Sequence, residues 1–175
     1  MLKRTEEDLK KIGEDFGLII YGLATVSDDY INQLKTYHNL DISDITGRIW
    51  FETMGLFIQL FVARIDDITT MKERVLLERA AIDAIVRMFE ILDLRDRPDA
   101  KKGAKELKNV LTTIIDSHRK YEVKHDKSIV ESYTISFTNS FKGVPNQLSL
   151  SYLQSKIELF EEENIRQKFE PELGL

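Results

Sequence analysis

Apolar residues are densest between residues 48 and 94, a stretch with no proline and a single glycine. From Ile49 to Ile65 they cover nearly all faces of a helix, whereas Glu52 and Gln59 stand on a narrow polar stripe. A helix that is apolar on most sides is buried inside a protein. The pattern therefore predicts a central helix around which the remaining elements pack.

The next part of the chain has the pattern of an ordinary amphipathic helix. An apolar stripe is expected to face the core, and oppositely charged residues four apart are expected to pair on the solvent face. The stripe comprises Met71, Val75, Ile82, Ile85, Val86 and Phe89, and the pairs are Arg74–Glu78, Arg79–Asp83 and Asp83–Arg87. Residues 66–70 either break the chain before this helix, with Thr70 and Glu73 as a capping box, or continue one long helix.

Helical spacing recurs on both sides of this region. Thr5 and Ser27 are residue types that cap helix N-termini. Gly13 and Gly17 are four residues apart in the first helix, a spacing that suits close packing of two helices. Further helices are expected from about residue 104 to 125 and from residue 146 onwards.

Residues 128–145 lack this periodicity. Tyr133, Ile135 and Phe137 alternate with polar residues, which is the pattern of an extended segment. The sequence therefore predicts an all-α fold, a bundle of five to six helices with one irregular or extended segment near 128–145. We expect a single helical domain over residues 1–175, with loose ends at 1–4 and 170–175.

The amino-acid composition excludes several classes of function and site. The 175 residues carry a net charge of -5, which argues against broad, non-specific binding to nucleic acid. Without cysteine there is no disulfide, thiolate metal site or cysteine nucleophile. The apolar run Ile49–Val62 is shorter than the ~20 residues that span a bilayer, and the charged N-terminal residues do not have the character of a signal peptide. We expect a soluble, cytoplasmic protein.

Motifs for cofactors are missing from the sequence. It contains no GxxxxGK[ST] loop, no GxGxxG turn and no GxSxG elbow. One Glu-x-x-His pair, Glu122 and His125, is present, but His118 and His125 are seven residues apart, or ~10.5 Å along a helix axis. We therefore expect no cofactor and no metal, and we interpret His118 as a residue at the edge of the core.

One stretch, residues 117–127 with the sequence SHRKYEVKHDK, carries candidate chemistry. Arg119 and His125 are separated by five residues, and Asp126 follows. An arginine, four to six residues and a histidine in a late helix of an all-α protein resemble the signature of the HEPN family. The resemblance implies a metal-independent ribonuclease, usually dimeric, whose two Arg–His motifs meet at the subunit interface.

The chemistry of the two side chains agrees with that implication. A histidine side chain can move a proton from a ribose 2′-hydroxyl near neutral pH. An arginine can hold the scissile phosphate and the charge that develops on it. By analogy, Arg119 is the phosphate clamp and His125 the general acid or base, with Lys120, Tyr121 and Lys124 positioning RNA.

A second interpretation is a non-enzymatic helical protein, such as an immunity, antitoxin-like or regulatory subunit. It would bind a basic protein partner through acidic side chains. The acidic residues are Asp28, Asp29, Asp66, Asp67, Glu161, Glu162 and Glu163. Net charge favours this interpretation, and the Arg119–His125 pair favours the ribonuclease.

Overall fold

The computed structural model describes residues 4–37, 42–92, 94, 95, 97–139, 146–163, 165–169, 171 and 173, without the side chains of 37, 42–44, 165 and 166. These residues are helical almost throughout and form no β-strand. The elements are α1 (Glu6–Leu23), α2 (Asp28–Tyr37), α3 (Ile42–Arg64), a 3-10 turn (Asp66–Ile68), α4 (Met71–Leu92), α5 (Ala100–His125), α6 (Ile129–Asn139), α7 (Asn146–Glu162) and α8 (Ile165–Phe169). The all-α prediction is confirmed, with more helices than expected. Across the described residues, no helix is both long enough and apolar enough to cross a membrane.

Helix α3 lies at the centre of the core. It contacts α1, α2, α4, α5, α6, α7 and α8, and most of its apolar side chains are buried. Phe61 stacks on Phe16 of α1 with 3.6 Å between ring centroids, and Phe57 stacks on Phe160 of α7 at 5.2 Å. The predicted central helix is confirmed, and its burial explains why nearly every face is apolar.

Glycines allow α1 to pack closely against α4, the most extensive helix pair in the described structure. A Cβ atom at Gly13 would lie 2.7 Å from the Cβ of Ala80. One at Gly17 would collide with the backbone oxygen of Ala81 and lie 2.8 Å from the Cβ of Ala84. Because real side chains do not approach so closely, both glycines are required for this spacing.

Capping boxes begin α1, where the sequence predicts a helix start, and α4, where a break was one of the two alternatives. The amide of Asp8 donates to Thr5 Oγ1 (3.1 Å), and the amide of Thr5 donates to Asp8 Oδ2 (2.9 Å). The same reciprocal bonds join Thr70 and Glu73, at 2.7 and 3.3 Å, at the start of α4. Since α3 ends at Arg64, the chain breaks before α4 rather than continuing as one helix.

Helix α4 departs from its predicted surface pattern. Ile82 and Ile85 are buried, but Met71 and Val75, which were expected in the core, are 75% and 50% exposed. The charged residues pair with neighbouring elements instead of with each other, because charged side chains flank α4 on both sides. These pairs are Arg74–Asp66, Glu78–Arg119, Asp83–Lys108 and Arg87–Glu14.

Residues 129–139 form helix α6, so the predicted extended segment is wrong there, and 140–145 lie outside the described residues. The helix begins with a capping box that the sequence interpretation missed. The amide of Glu131 donates to Ser128 Oγ (3.3 Å), and the amide of Ser128 donates to Glu131 Oε2 (2.9 Å).

Near the chain ends, two described residues contact the rest of the protein. Arg4 donates hydrogen bonds to the carbonyl oxygens of Leu173 (2.8 Å) and Ile68 (3.0 Å), and it pairs with Glu73 (3.4 Å). The Leu173 side chain is buried. The loose ends expected at 1–4 and 170–175 remain a prediction, and residues 1–3, 170, 172, 174 and 175 lie outside the described residues.

Candidate functional site

Helix α5 carries the predicted site residues near its C-terminal end. The helix ends directly after His125, because Asp126 adopts a left-handed conformation (φ 51°, ψ 54°) and its amide donates to the carbonyl oxygen of Glu122. Aspartate enters this region more readily than most residues other than glycine. His125 is thus the last helical residue, and the turn that follows sets its position.

Arg119 is held in place by a carboxylate of α4. Its Nη1 donates to Glu78 Oε1 (3.1 Å), and its Nη2 pairs with Glu78 Oε2, which makes a two-point contact. Burial alone would lower the pKa of Arg119, but the hydrogen bonds and charge of Glu78 outweigh it and raise that pKa. Because a guanidinium has five N–H donors, this pair leaves donors available on a side chain that is 40% exposed.

His125 is exposed and stacks on Tyr121, one turn earlier in α5. The ring centroids are 4.3 Å apart and the rings are tilted by 33°. The exposed side chain is accessible to a substrate or to water. The stacking reduces the number of orientations that the imidazole samples.

Arg119 and His125 lie on different flanks of α5. Residues six apart point ~120° away from each other and are ~9 Å apart along the axis. Arg119 faces Glu78 on α4, whereas Tyr121, the neighbour of His125, lines a cavity beside α6. One chain therefore does not bring the two side chains together, and a joint site needs a second molecule.

Two lysines, with Asp116 one turn before the first, lie on the solvent face of α5 between these flanks. Lys120 and Lys124 are exposed and form no ion pair with any described residue. Val123, which is 86% exposed, lies among them. Although the chain is acidic overall, this face has a local positive charge.

A buried polar cluster that the sequence interpretation missed connects α3, α5 and α6. His118 is buried rather than at the edge of the core. Its Nδ1 lies 2.6 Å from Ser132 Oγ and its Nε2 lies 2.9 Å from Glu52 Oε2. Ser136 Oγ donates to the other carboxylate oxygen of Glu52 (3.1 Å), and the Tyr133 ring stacks on His118 at 3.6 Å.

Gln59 completes the polar contacts at the core of this cluster. Its amide nitrogen donates to the carbonyl oxygen of Ile115 and to Tyr133 Oη, both at 3.2 Å. Burial, together with the charge of Glu52, raises the pKa of Tyr133 well above its usual value, so the phenol stays neutral. Glu52 and Gln59, which interrupt the apolar run Ile49–Val62 of α3, are the sequence signal for this cluster.

Two concave spaces flank α5. On the side of His118, a cavity of about 380 Å³ lies between α3, α5 and α6. On the side of Arg119, a smaller cleft of about 270 Å³ also contains Asp66 and Glu122. Burial raises the pKa of Glu122, and in the described structure its Oε1 has no hydrogen-bond partner.

Neither space holds a set of ligands for a metal ion. In the part of the chain that the structure describes, no three histidine, aspartate or glutamate side chains are arranged to coordinate one. Comparison with known proteins gives no match to a family model, a curated protein or a solved structure. The site is therefore characterised by its own geometry.

Proposed function

We propose that this chain is a HEPN-like ribonuclease of a toxin or defence system, which cleaves RNA in the cytoplasm without a metal ion. In this proposal two copies form a homodimer, and each active site combines Arg119 of one copy with His125 of the other. The observation that carries the proposal is the exposed end of α5. A fixed arginine with remaining donors, an exposed histidine and two lysines lie within its last two turns.

An apolar patch beside Arg119 supports contact with a second copy. Val75 lies one turn before Glu78 on α4, and Val123 lies one turn after Arg119 on α5. Because Glu78 and Arg119 pair, the two valines lie at similar heights along the neighbouring helices. Met71, one turn before Val75, extends the patch. All three are exposed, and clustered exposed apolar side chains are typical of interaction surfaces.

The proposed reaction is an internal phosphoryl transfer. The ribose 2′-oxygen attacks the neighbouring phosphorus, the bond from phosphorus to the 5′-oxygen breaks, and a 2′,3′-cyclic phosphate and a 5′-hydroxyl result. His125 takes the proton from the 2′-hydroxyl and returns a proton to the leaving oxygen. Arg119 donates to the phosphate oxygens as negative charge develops, and Lys120, Tyr121 and Lys124 hold neighbouring nucleotides.

A non-enzymatic protein that binds a basic partner is the alternative. Its support is the exposed carboxylates of Asp28, Asp29 and Glu162. However, several of the other predicted carboxylates are paired within the chain, as Asp66–Arg74, Glu161–Arg64 and Glu163–Lys168. This internal pairing reduces the charge available to a partner, and the free lysines of α5 favour RNA.

Cleavage of single-stranded RNA in the presence of EDTA tests the proposal. Wild type should release fragments ending in cyclic phosphate, and His125→Ala should lower the rate by about 10²–10⁴-fold, the usual contribution of a general acid or base. Lys101→Ala, an exposed change at the other end of α5, should cleave as wild type does. Expression of wild type, but not of His125→Ala, should also arrest growth.

Two results would contradict the ribonuclease. One is His125→Ala cleaving as fast as wild type. The other is wild type that neither cuts RNA nor slows growth, and a basic protein retained equally by wild type and His125→Ala would then favour the alternative.

A further inference from the structure

The cavity between α3, α5 and α6 has the features of a small-molecule site. Its volume of about 380 Å³ falls within the range of about 300–1,000 Å³ typical of such sites. Ile114, Ile135 and the Tyr121 ring provide apolar walls, while Glu52, His118 and Ser132 place polar atoms at its inner side. An apolar cavity with a few convergent polar groups is what a flat heterocycle requires.

The hydrogen bonds of His118 determine which donors and acceptors the inner side of the cavity presents to a ligand. In the tautomer with the hydrogen on Nε2, His118 donates to Glu52 Oε2. In the neutral ring Nδ1 then accepts the hydroxyl hydrogen of Ser132. Glu52 accepts one bond at each oxygen, from His118 and Ser136, although a carboxylate has about four acceptor positions. Acceptor capacity therefore remains on Glu52, which lines the cavity.

The charge of the lining selects against anions. Glu52 is the only acidic residue among the lining residues, and they include no lysine or arginine. A phosphate group would meet a carboxylate without a compensating cation. A neutral or cationic group with N–H donors is instead favoured, because hydrogen bonds to an ionised acceptor are the stronger ones.

The cavity also lies next to His125. Tyr121 lines the cavity and stacks on the His125 ring at 4.3 Å, so a single aromatic ring separates the two. A nucleotide whose phosphate lies near His125 can therefore reach the cavity with its own base or that of a neighbouring residue. Proteins read single-stranded RNA in this way, with the base turned into a pocket and hydrogen-bonded along its edge.

From these observations we infer that the cavity binds a guanine base of the RNA substrate, with Glu52 as the specificity-determining residue. This inference rests on the proposed ribonuclease function. Guanine presents two adjacent donors, N1–H and N2–H, which pair with the two oxygens of one carboxylate. Adenine has an acceptor at N1, cytosine an acceptor at N3, and uracil has one N–H between two carbonyl oxygens, so each places an acceptor against Glu52.

Calorimetric titration with free nucleosides tests this assignment without any cleavage step. Guanosine should bind wild type at least tenfold more tightly than adenosine, and inosine, which lacks the N2 amine, should fall between them. Glu52→Gln should remove the preference for guanosine. Glu106→Gln, the same change on the exposed side of α5, should not.

A second variant separates loss of the cavity from loss of the fold. Ser117 lies at the exposed edge of the cavity, so Ser117→Trp should block the entrance and abolish guanosine binding while the melting temperature stays within a few degrees of wild type. Equal binding of guanosine and adenosine, no binding of guanosine at millimolar concentration, or unchanged binding by folded Glu52→Gln would overturn the inference.

The failures of the two proposals are distinguishable. RNA cleavage without any preference at guanine, together with no guanosine binding, rejects the base-binding cavity and leaves the ribonuclease intact. Guanosine binding by a protein that never cleaves RNA rejects the ribonuclease and, because binding is measured directly, leaves the cavity as a nucleobase site.

Discussion

Two interfaces of this helical protein differ in the side chains that form them. Helix α1 meets α4 through glycine and alanine, and the backbones approach so closely that a single added methyl group collides. Helix α5 meets α3 and α6 through polar side chains next to a cavity. These side chains are Glu52, Gln59 and His118. The backbones of the first interface are closely packed, whereas the second interface is polar and borders a cavity.

This difference predicts which residues affect only the stability of the protein and which also affect ligand binding or catalysis. Close packing gives many favourable contacts where the two backbones meet. A buried polar cluster contributes less net stability and costs free energy whenever one partner is missing, but it provides directed donors and acceptors. We therefore expect mutations at the α1–α4 interface to act on stability alone, and mutations around α5 to act on binding as well.

The largest effect is expected at Gly17. Gly17→Ala places a methyl group against the Ala81 backbone oxygen, which cannot move without shifting α4, so the free energy of unfolding should fall by about 3 kcal/mol. Gly22→Ala is the matched control in the same helix, because nothing lies within 4 Å of its added Cβ. Chemical denaturation should show Gly22→Ala at least as stable as wild type, and equal stability of Gly17→Ala would contradict the close contact.

A smaller loss is expected at the polar interface. His118→Phe keeps an aromatic ring against Tyr133 but leaves Glu52 Oε2 and the Ser132 hydroxyl without their partner, so unfolding free energy should fall by about 2 kcal/mol. Ser132→Ala removes only one of these bonds and should cost about half as much. A His118→Phe variant as stable as wild type would show that the cluster contributes nothing to the fold.

The smallest effect, a gain, is expected at Glu122. Burial raises its pKa, so folding is opposed by the ionised form, and this penalty grows as pH rises from about 4.5 through the folded pKa. Glu122→Gln should stabilise the protein at pH 7 by less than about 1 kcal/mol, since partial exposure screens the charge. The gain should vanish at pH 4, and the exposed control Glu106→Gln should show no such pH dependence in thermal melts.

Most of the fold can be predicted from the sequence because the pattern of apolar residues is strong. The central helix and the helix start at Thr5 are confirmed, and of the two alternatives left open for residues 66–70 the structure has the break, since each depends on residues close together in the chain. Helix α6 was missed because Tyr133, Ile135 and Phe137 alternate. The burial of Tyr133 and Phe137, four residues apart, equally fits one face of a helix, and tertiary packing decides between the two.

Less of the candidate site can be predicted from the sequence. The partner of Arg119 is Glu78, 41 residues earlier, and the partners of His118 lie on α3 and α6. Such contacts arise only when helices pack, and no spacing within one helix indicates them. What the sequence does indicate is that Arg119 and His125 lie on different flanks of α5, which follows from helix geometry alone.

Complementation between two inactive variants tests the shared active site most directly. Arg119→Ala and His125→Ala should each be inactive alone. Co-expressed, they should recover about a quarter of wild-type RNA cleavage, because about half of the dimers are mixed and each mixed dimer has one intact site. No recovery in a mixture shown to contain mixed dimers, or full activity of either single variant, would contradict an active site built from Arg119 of one copy and His125 of the other.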